Sequence, residues 1–195
     1  MLGSALVLPG CGSISDQIPV TEGPSGAVYL QQFFERGTTM RYGGPIKSFR
    51  ASHPIDLSLE TLAKALAGLR IGLTPSDGPA SDHGIKPRPV FSPSEVAFLA
   101  PALAQALKQV QPDQRVKFHV GTAADATEGT LHVDGQAIQI TLSHYHAQIN
   151  RPDEQLSISI LSFVPHEAQT MITSPQTWME IEPNQPRVAV SLAAL

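Results

Sequence analysis

The clearest pattern in this chain lies past Pro112, where apolar and polar residues alternate. Val116, Phe118 and Val120 alternate with Lys117 and His119, and Ile138, Ile140 and Leu142 with Gln139, Thr141 and Ser143. Successive side chains of a strand point to opposite faces, so a period of two predicts strands buried on one side only. Leu131 and Val133 lead into Asp134-Gly135, a pair favoured in type I′ turns, which predicts a hairpin into the Ile138 strand. Asn150-Arg151-Pro152-Asp153 marks another turn before a strand candidate from Leu156 to Val164, with Trp178 to Ile181 and Val188 to Leu192 as further candidates. One-sided alternation joined by short turns means an antiparallel sheet with one face covered.

Upstream of Pro112 the period becomes helical. Leu59, Leu62, Ala63, Leu66 and Leu69 follow helical spacing, with Asp56 or Ser58 to cap the start and Gly68 near the end, which predicts a helix over about 58–68. Ser92-Pro93-Ser94-Glu95 has the form of a capping box with proline in the first helical position, followed by the stripe Val96, Leu99, Leu103, Ala106, Leu107 and Val110. Pro101 interrupts that stripe. It lacks a donor and crowds the carbonyl four residues back, so a kink or break is expected there. Lys47 to Pro54 alternates up to a proline, which predicts an edge strand, and Leu73 to Pro89, with four prolines, reads as a surface excursion. Helices first and a meander second predict an α+β domain of two layers: two helices packed on one face of a mainly antiparallel sheet of about four to six strands.

Composition adds limits to this frame. The 195 residues suffice for one core, and the 17 prolines together with only 15% charged residues argue against a coiled coil or helical bundle. Thirteen basic and 17 acidic residues leave a formal charge of −4, so no overall basic field draws the chain to nucleic acid. The single cysteine excludes an intramolecular disulfide and any site needing several thiolates.

That cysteine sits at a junction. Leu6-Val7-Leu8-Pro9-Gly10-Cys11 is a short apolar run ending in a small residue and cysteine, and the stretch after it is polar and rich in turn formers. It resembles the lipobox of bacterial lipoproteins over about the first 13 residues. The resemblance assigns Leu8 to the bulky apolar position, Gly10 to the small residue before the cleavage point, and Cys11 to the acylated residue. It implies a cell-envelope protein held to the membrane by lipid. Gly12, where an Asp would imply inner-membrane retention in that family, implies the outer membrane. No Lys or Arg precedes the apolar run, so the full signal is expected to begin upstream of Met1. Acyl chains supply about 0.8 kcal/mol per buried methylene, and two or more make a stable anchor. No run approaches the roughly 18 to 20 apolar residues of a membrane-spanning helix.

The expected organisation is therefore a short signal segment over 1–10, a flexible tether over 11–26, and one α+β domain over 27–195. The tether rests on Gly12, Ser13, Ser15, Pro19, Gly23, Pro24, Ser25 and Gly26, which offer little to bury. Arg36, Arg41, Lys47 and Arg50 are interrupted by Gly37, Gly43, Gly44 and Pro45 and read as a solvated loop.

Catalytic signatures do not emerge. His166-Glu167 begins a zinc-protease-like motif, but Thr170 stands where its second histidine belongs. No phosphate-cradling loop follows a strand, and no cofactor is expected. The remaining constellation is His144-Tyr145-His146. Two imidazoles two residues apart on a strand share a face, continuing the row of Ile138, Ile140 and Leu142, and form a candidate pair of ligands for zinc or copper. His119 and His132 fall on the opposite, polar side, so a site joining all four must cross the sheet or needs a bulge that reverses one row. Two function classes follow. One is a membrane-anchored binding or assembly module with a protein partner in the envelope. The other is a hydrolase or metal-binding protein that draws on His53, Asp82, His83, His144 or His146. A cytoplasmic domain whose N-terminus imitates a lipobox is the remaining alternative.

Overall fold

The computed structural model describes residues 17–32, 51–72, 87–122, 125–146, 160–172 and 185–195. Cys11, the basic stretch from Arg36 to Arg50, Asp82, His83, the turn at Asn150 to Asp153 and the strand candidate at Trp178 lie outside them. In chain order the elements are β1 (Gln17–Gly23), β2 (Gly26–Gln32), α1 (Leu59–Ala67), β3 (Leu69–Gly72), β4 (Arg88–Pro89), α2 (Pro93–Leu107), β5 (Gln114–Thr122), β6 (Asp125–Asp134), β7 (Ala137–His144), β8 (Ile160–Phe163), β9 (Gln169–Thr170) and β10 (Arg187–Ser191). Short 3-10 turns at His166–Ala168 and Leu192–Ala194 complete the set.

The class is α+β, as the pattern predicts, with more strands than the four to six expected. Seven form one antiparallel sheet in the order β1-β2-β5-β6-β7-β10-β9, and three form a small sheet in the order β4-β3-β8. Two of the additional strands, β4 and β9, have two residues each, too few to show any periodicity. A third, β1, replaces part of the expected tether. Residues 17–23 pair with 26–31 as a hairpin on the edge of the main sheet, so the fold begins by Gln17, ten residues before Ala27. The glycines and proline at 23–26 that read as linker form its turn, and Val20 packs against the core while Ile18 is exposed. Pro19 is tolerated because β1 is an edge strand, and the ladder shifts register between Pro19 and Thr21.

Alternation decides which face is buried. Val28 and Leu30 of β2, Val116, Phe118 and Val120 of β5, Leu131 and Val133 of β6, Ile138, Ile140 and Leu142 of β7, and Val188 and Val190 of β10 join one core cluster. The helices fill the other side of that cluster through Leu62, Ala65 and Leu66 of α1 and Leu99, Leu103, Ala106 and Leu107 of α2. Phe91, just ahead of α2, meets Phe118 edge to face, with ring centroids 5.7 Å apart.

Both helices start as their sequences dictate. The Ser58 hydroxyl accepts from the Thr61 amide (3.0 Å). At α2 the Ser92 hydroxyl accepts from the Glu95 amide (3.3 Å) while the Ser92 amide donates to the Glu95 carboxylate (2.7 Å), closing the capping box. The expected break at Pro101 does not occur, and α2 runs unbroken from Pro93 to Leu107. Pro101 and Ala97, whose carbonyl loses its helical donor, are both exposed, so water can take over that bond.

Gly68 joins α1 to β3 under the ring of Phe163. A Cβ placed there meets the ring at 2.4 Å and the Val164 carbonyl at 2.7 Å, and Phe163 is fully buried with no room to swing away. Gly68→Ala is expected to destabilise the protein by about 1–3 kcal/mol through overpacking. Gly23→Ala, with nothing within 4 Å, should stay within about 0.5 kcal/mol. Urea unfolding of the two variants beside the parent checks the contrast, and equal losses would contradict it.

Candidate functional site

The face of the sheet opposite the helices carries the polar residues. Across adjacent strands one row runs Gln31, Arg115, His132, Gln139 and Ala189, and the next runs Tyr29, Lys117, Thr130, Thr141 and Arg187. Several of these are buried although polar: His132 is 3% exposed, Gln139 5% and Thr141 3%. Arg115 Nε donates to Gln31 Oε1 (3.1 Å), and Gln139 Nε2 donates to Asp134 Oδ2 (3.4 Å).

His53 reaches this cluster from a different part of the chain. Lys47 to Arg50 of the expected edge strand lie outside the described residues, and Ala51 to Pro54 do not form a strand. They cross the end of the sheet as a strap. The Ala51 amide donates to the Pro112 carbonyl (2.8 Å), the Ser52 amide to the Val133 carbonyl (2.8 Å) and the Ile55 amide to the Leu107 carbonyl (2.9 Å). The Ser52 hydroxyl accepts from the Gly135 amide (2.8 Å), and His53 Nε2 accepts from the Val133 amide (3.4 Å). At this end the β5–β6 ladder stops at Val116 and Leu131, so Val133 is not paired with β5. Strap and imidazole thus supply the bonds that a neighbouring strand supplies elsewhere.

Burial holds both histidines of this cluster in their neutral form. Desolvation lowers the His53 pKa to about 4. For His132 desolvation, then the nearby His53 and Arg115, lowers it to about 3.

The other end of the sheet holds the remaining candidates. His144 and His146 do not both continue the Ile138 row, because the β6–β7 ladder shifts register: Gly129 pairs with Leu142, but Glu128 pairs with His144. Gly129 lies on the core side, where a Cβ would meet the Phe118 ring and the Leu142 side chain. Glu128 therefore faces the polar side, and the extra residue Ser143 carries His144 over to it. His144 Nδ1 lies 3.5 Å from Glu128 Oε2, and Glu128 pairs across β5 with His119. Tyr145 takes the inward position and joins the core. His146, in a left-handed conformation with φ 45°, sets Nδ1 2.6 Å from Asp125 Oδ1.

The two histidines predicted as a pair thus answer to two different carboxylates, neither evident from local spacing. The available signal was Gly129, since an isolated glycine inside a strand pattern marks a bulge. His53 is not brought to this group. Its partner Val133 lies five residues along β6 from Glu128, roughly 17 Å at strand rise. His166 is exposed in a 3-10 turn. Among the described residues no group of three or more His, Cys, Asp or Glu side chains is placed to hold a metal ion.

No family model matches the chain, and neither the curated proteins nor the solved structures contain a match.

The neutral burial of His132 sets a pH dependence. An unfolded chain takes up a proton near the ordinary imidazole value of about 6.5, whereas the folded chain resists until about pH 3. The contribution is complete above the unfolded value and is lost as pH falls toward the folded one. Denaturation midpoints should fall between about pH 7 and pH 5, and His132→Gln should flatten that slope. An unchanged slope in the variant would contradict this.

Proposed function

We propose that this chain is a lipid-anchored module of the bacterial cell envelope, tethered through Cys11 and facing the periplasm or exterior as a binding or assembly domain for a protein partner. The observation that carries the reading is the position of Cys11, the only cysteine, where the apolar run Leu6-Val7-Leu8 and the small Gly10 give way to polar sequence. Gly12 after it favours the outer membrane. Two further features fit an anchor of this kind. Among the described residues no helix is long and apolar enough to cross a membrane, so an acyl chain has a role to fill. In addition, β1 begins six residues after Cys11, so even a fully extended connection spans only about 20 Å. A domain anchored there works close to the bilayer surface, and its partner is a neighbour on the same membrane.

A second reading, a zinc or copper site using His144 and His146, is favoured by one observation. Each imidazole presents Nδ1 to a carboxylate, Glu128 or Asp125, which is how metal-ligating histidines are commonly oriented.

Expression with a clickable fatty acid tests the anchor. The parent should take up label and sediment with membranes, and Cys11→Ala should lose both. A variant that labels and sediments as before removes the anchor. Calorimetric titration of the folded protein with zinc tests the second reading. The expected heat disappears in the His144→Ala, His146→Ala double variant, and no heat in the parent removes the site.

A further inference from the structure

We propose that His53 is the latch of an acid-released clasp: protonation of its imidazole frees the strap Ala51–Ile55 from the end of the main sheet and bares the unpaired edge of β6 around Val133. This goes beyond the envelope reading and does not depend on it.

The case rests on hydrogen-bond geometry. In β6 the Val133 backbone lies past the last β5 partner, and both its polar groups are met by the strap, the carbonyl by the Ser52 amide and the amide by His53 Nε2. A ring nitrogen accepts only when it carries no proton, so His53 must be neutral with its proton on Nδ1. Nδ1 is itself buried and finds no hydrogen-bond partner among the described residues. Adding a second proton turns Nε2 into a donor aimed at another donor. The bond to Val133 is lost, and a buried cation is created with nothing to receive its other N–H.

The charges around the ring do not relieve this. From β6 come His132 and Asp134, the latter accepting from Gln139 of β7. From β5 comes Arg115, a fixed cation, bonded to Gln31 of β2. On the strap's own continuation Asp56 pairs with Lys108, just past the end of α2, at 3.0 Å, both largely exposed. His132, next to the cluster, adds to the positive charge if it also titrates.

Among the described residues the strap has few other hydrogen bonds, with Ala51 and His53 buried and Ile55 packed against the core. Its remaining ties are the amide bonds of Ala51, Ser52 and Ile55 and the Ser52 hydroxyl to Gly135, a residue of the hairpin turn. The central strands, by contrast, are paired on both sides. Segments fastened by peripheral bonds at the end of a sheet are among those that open below the global unfolding energy.

Amide hydrogen exchange on the full chain tests the clasp, with protection at about pH 7.5 and about pH 5 corrected for intrinsic exchange. In the parent, the Ala51, Ser52, Ile55 and Val133 amides should lose protection on the order of tenfold or more at the lower pH, and at both values stay less protected than Phe118 and Ile140, which exchange only by global unfolding. His53→Gln keeps an acceptor oxygen but cannot titrate, so its strap should stay protected at both values. Equal protection at both pH values in the parent overturns the proposal. So does strap protection equal to that of the central strands at both pH values, or a His53→Gln strap that still opens with acid. Should that variant fail to hold the strap at neutral pH, nitrogen correlation spectra of the parent decide the matter. They must show the His53 proton on Nδ1 at neutral pH, with ring protonation and strap opening at one midpoint. A proton on Nε2, or separate midpoints, overturns the clasp.

Discussion

Phe118 sits in the middle of β5 with no exposed surface, flanked on the same face by Val116 and Val120 and across the ladder by Gly129. An apolar row of this length cannot face water, and covering it is the requirement from which the rest of the architecture follows. The cover is α2, whose Leu99, Leu103 and Leu107 are all fully buried, with α1 packed beside it. Burying one such side chain contributes about 1.5–3 kcal/mol, so the shared row outweighs any single surface contact. It also explains why Pro101 is tolerated. Its lost hydrogen bond lies on the solvent side, away from the contacts that hold the helix down.

Committing one face to the core leaves the other face with the polar side chains, and the two ends of that face differ in chemistry. At the Val133 end, burial holds the His53 and His132 imidazoles neutral, and they resist protons. At the Glu128 end, His144 and His146 each meet a carboxylate and are partly exposed. Histidines of the same intrinsic basicity thus meet different surroundings: a desolvated strand end for His53 and His132, and a nearby carboxylate for each of His144 and His146. The register shift at Gly129 makes the second arrangement possible, because it turns His144 onto the side where Glu128 stands.

The edges of the main sheet show how the chain limits unwanted pairing. β1, on one edge, carries Pro19 and a register shift, both of which interrupt an open ladder. β9, on the other, is only two residues long. Such edges limit strand-to-strand association. The β6 edge behind the strap is different, since its polar groups are satisfied by an imidazole whose bond depends on its proton count.

Much of the frame was legible in the residues. The period of two past Pro112 and the Ser92 capping box each encode a local preference and appear where the pattern places them; the hairpin after Val133 also forms, but its turn is Gly135-Gln136 with positive φ (59°) at Gly135 alone, and not a type I′ pair at Asp134-Gly135. Local signals fail where partners come from afar. Residues 17–26 read as linker because their glycines and prolines weaken any intrinsic preference, and only pairing with β2, itself held by β5, makes them a hairpin. The sites were less legible still. His144 and His146 look like one ligand pair by spacing, but a bulge in a long-range ladder divides them between Glu128 and Asp125. His53 looks like a loop histidine, but closure of the chain across β6 turns its ring into a hydrogen-bond acceptor for a strand. By itself, the sequence determined which segments prefer to be helix or strand and which face of each is apolar, because those follow from neighbours a few residues away. Tertiary structure alone decided the register, the edges and the neutral state of His53 and His132, because these depend on groups brought together from distant parts of the chain.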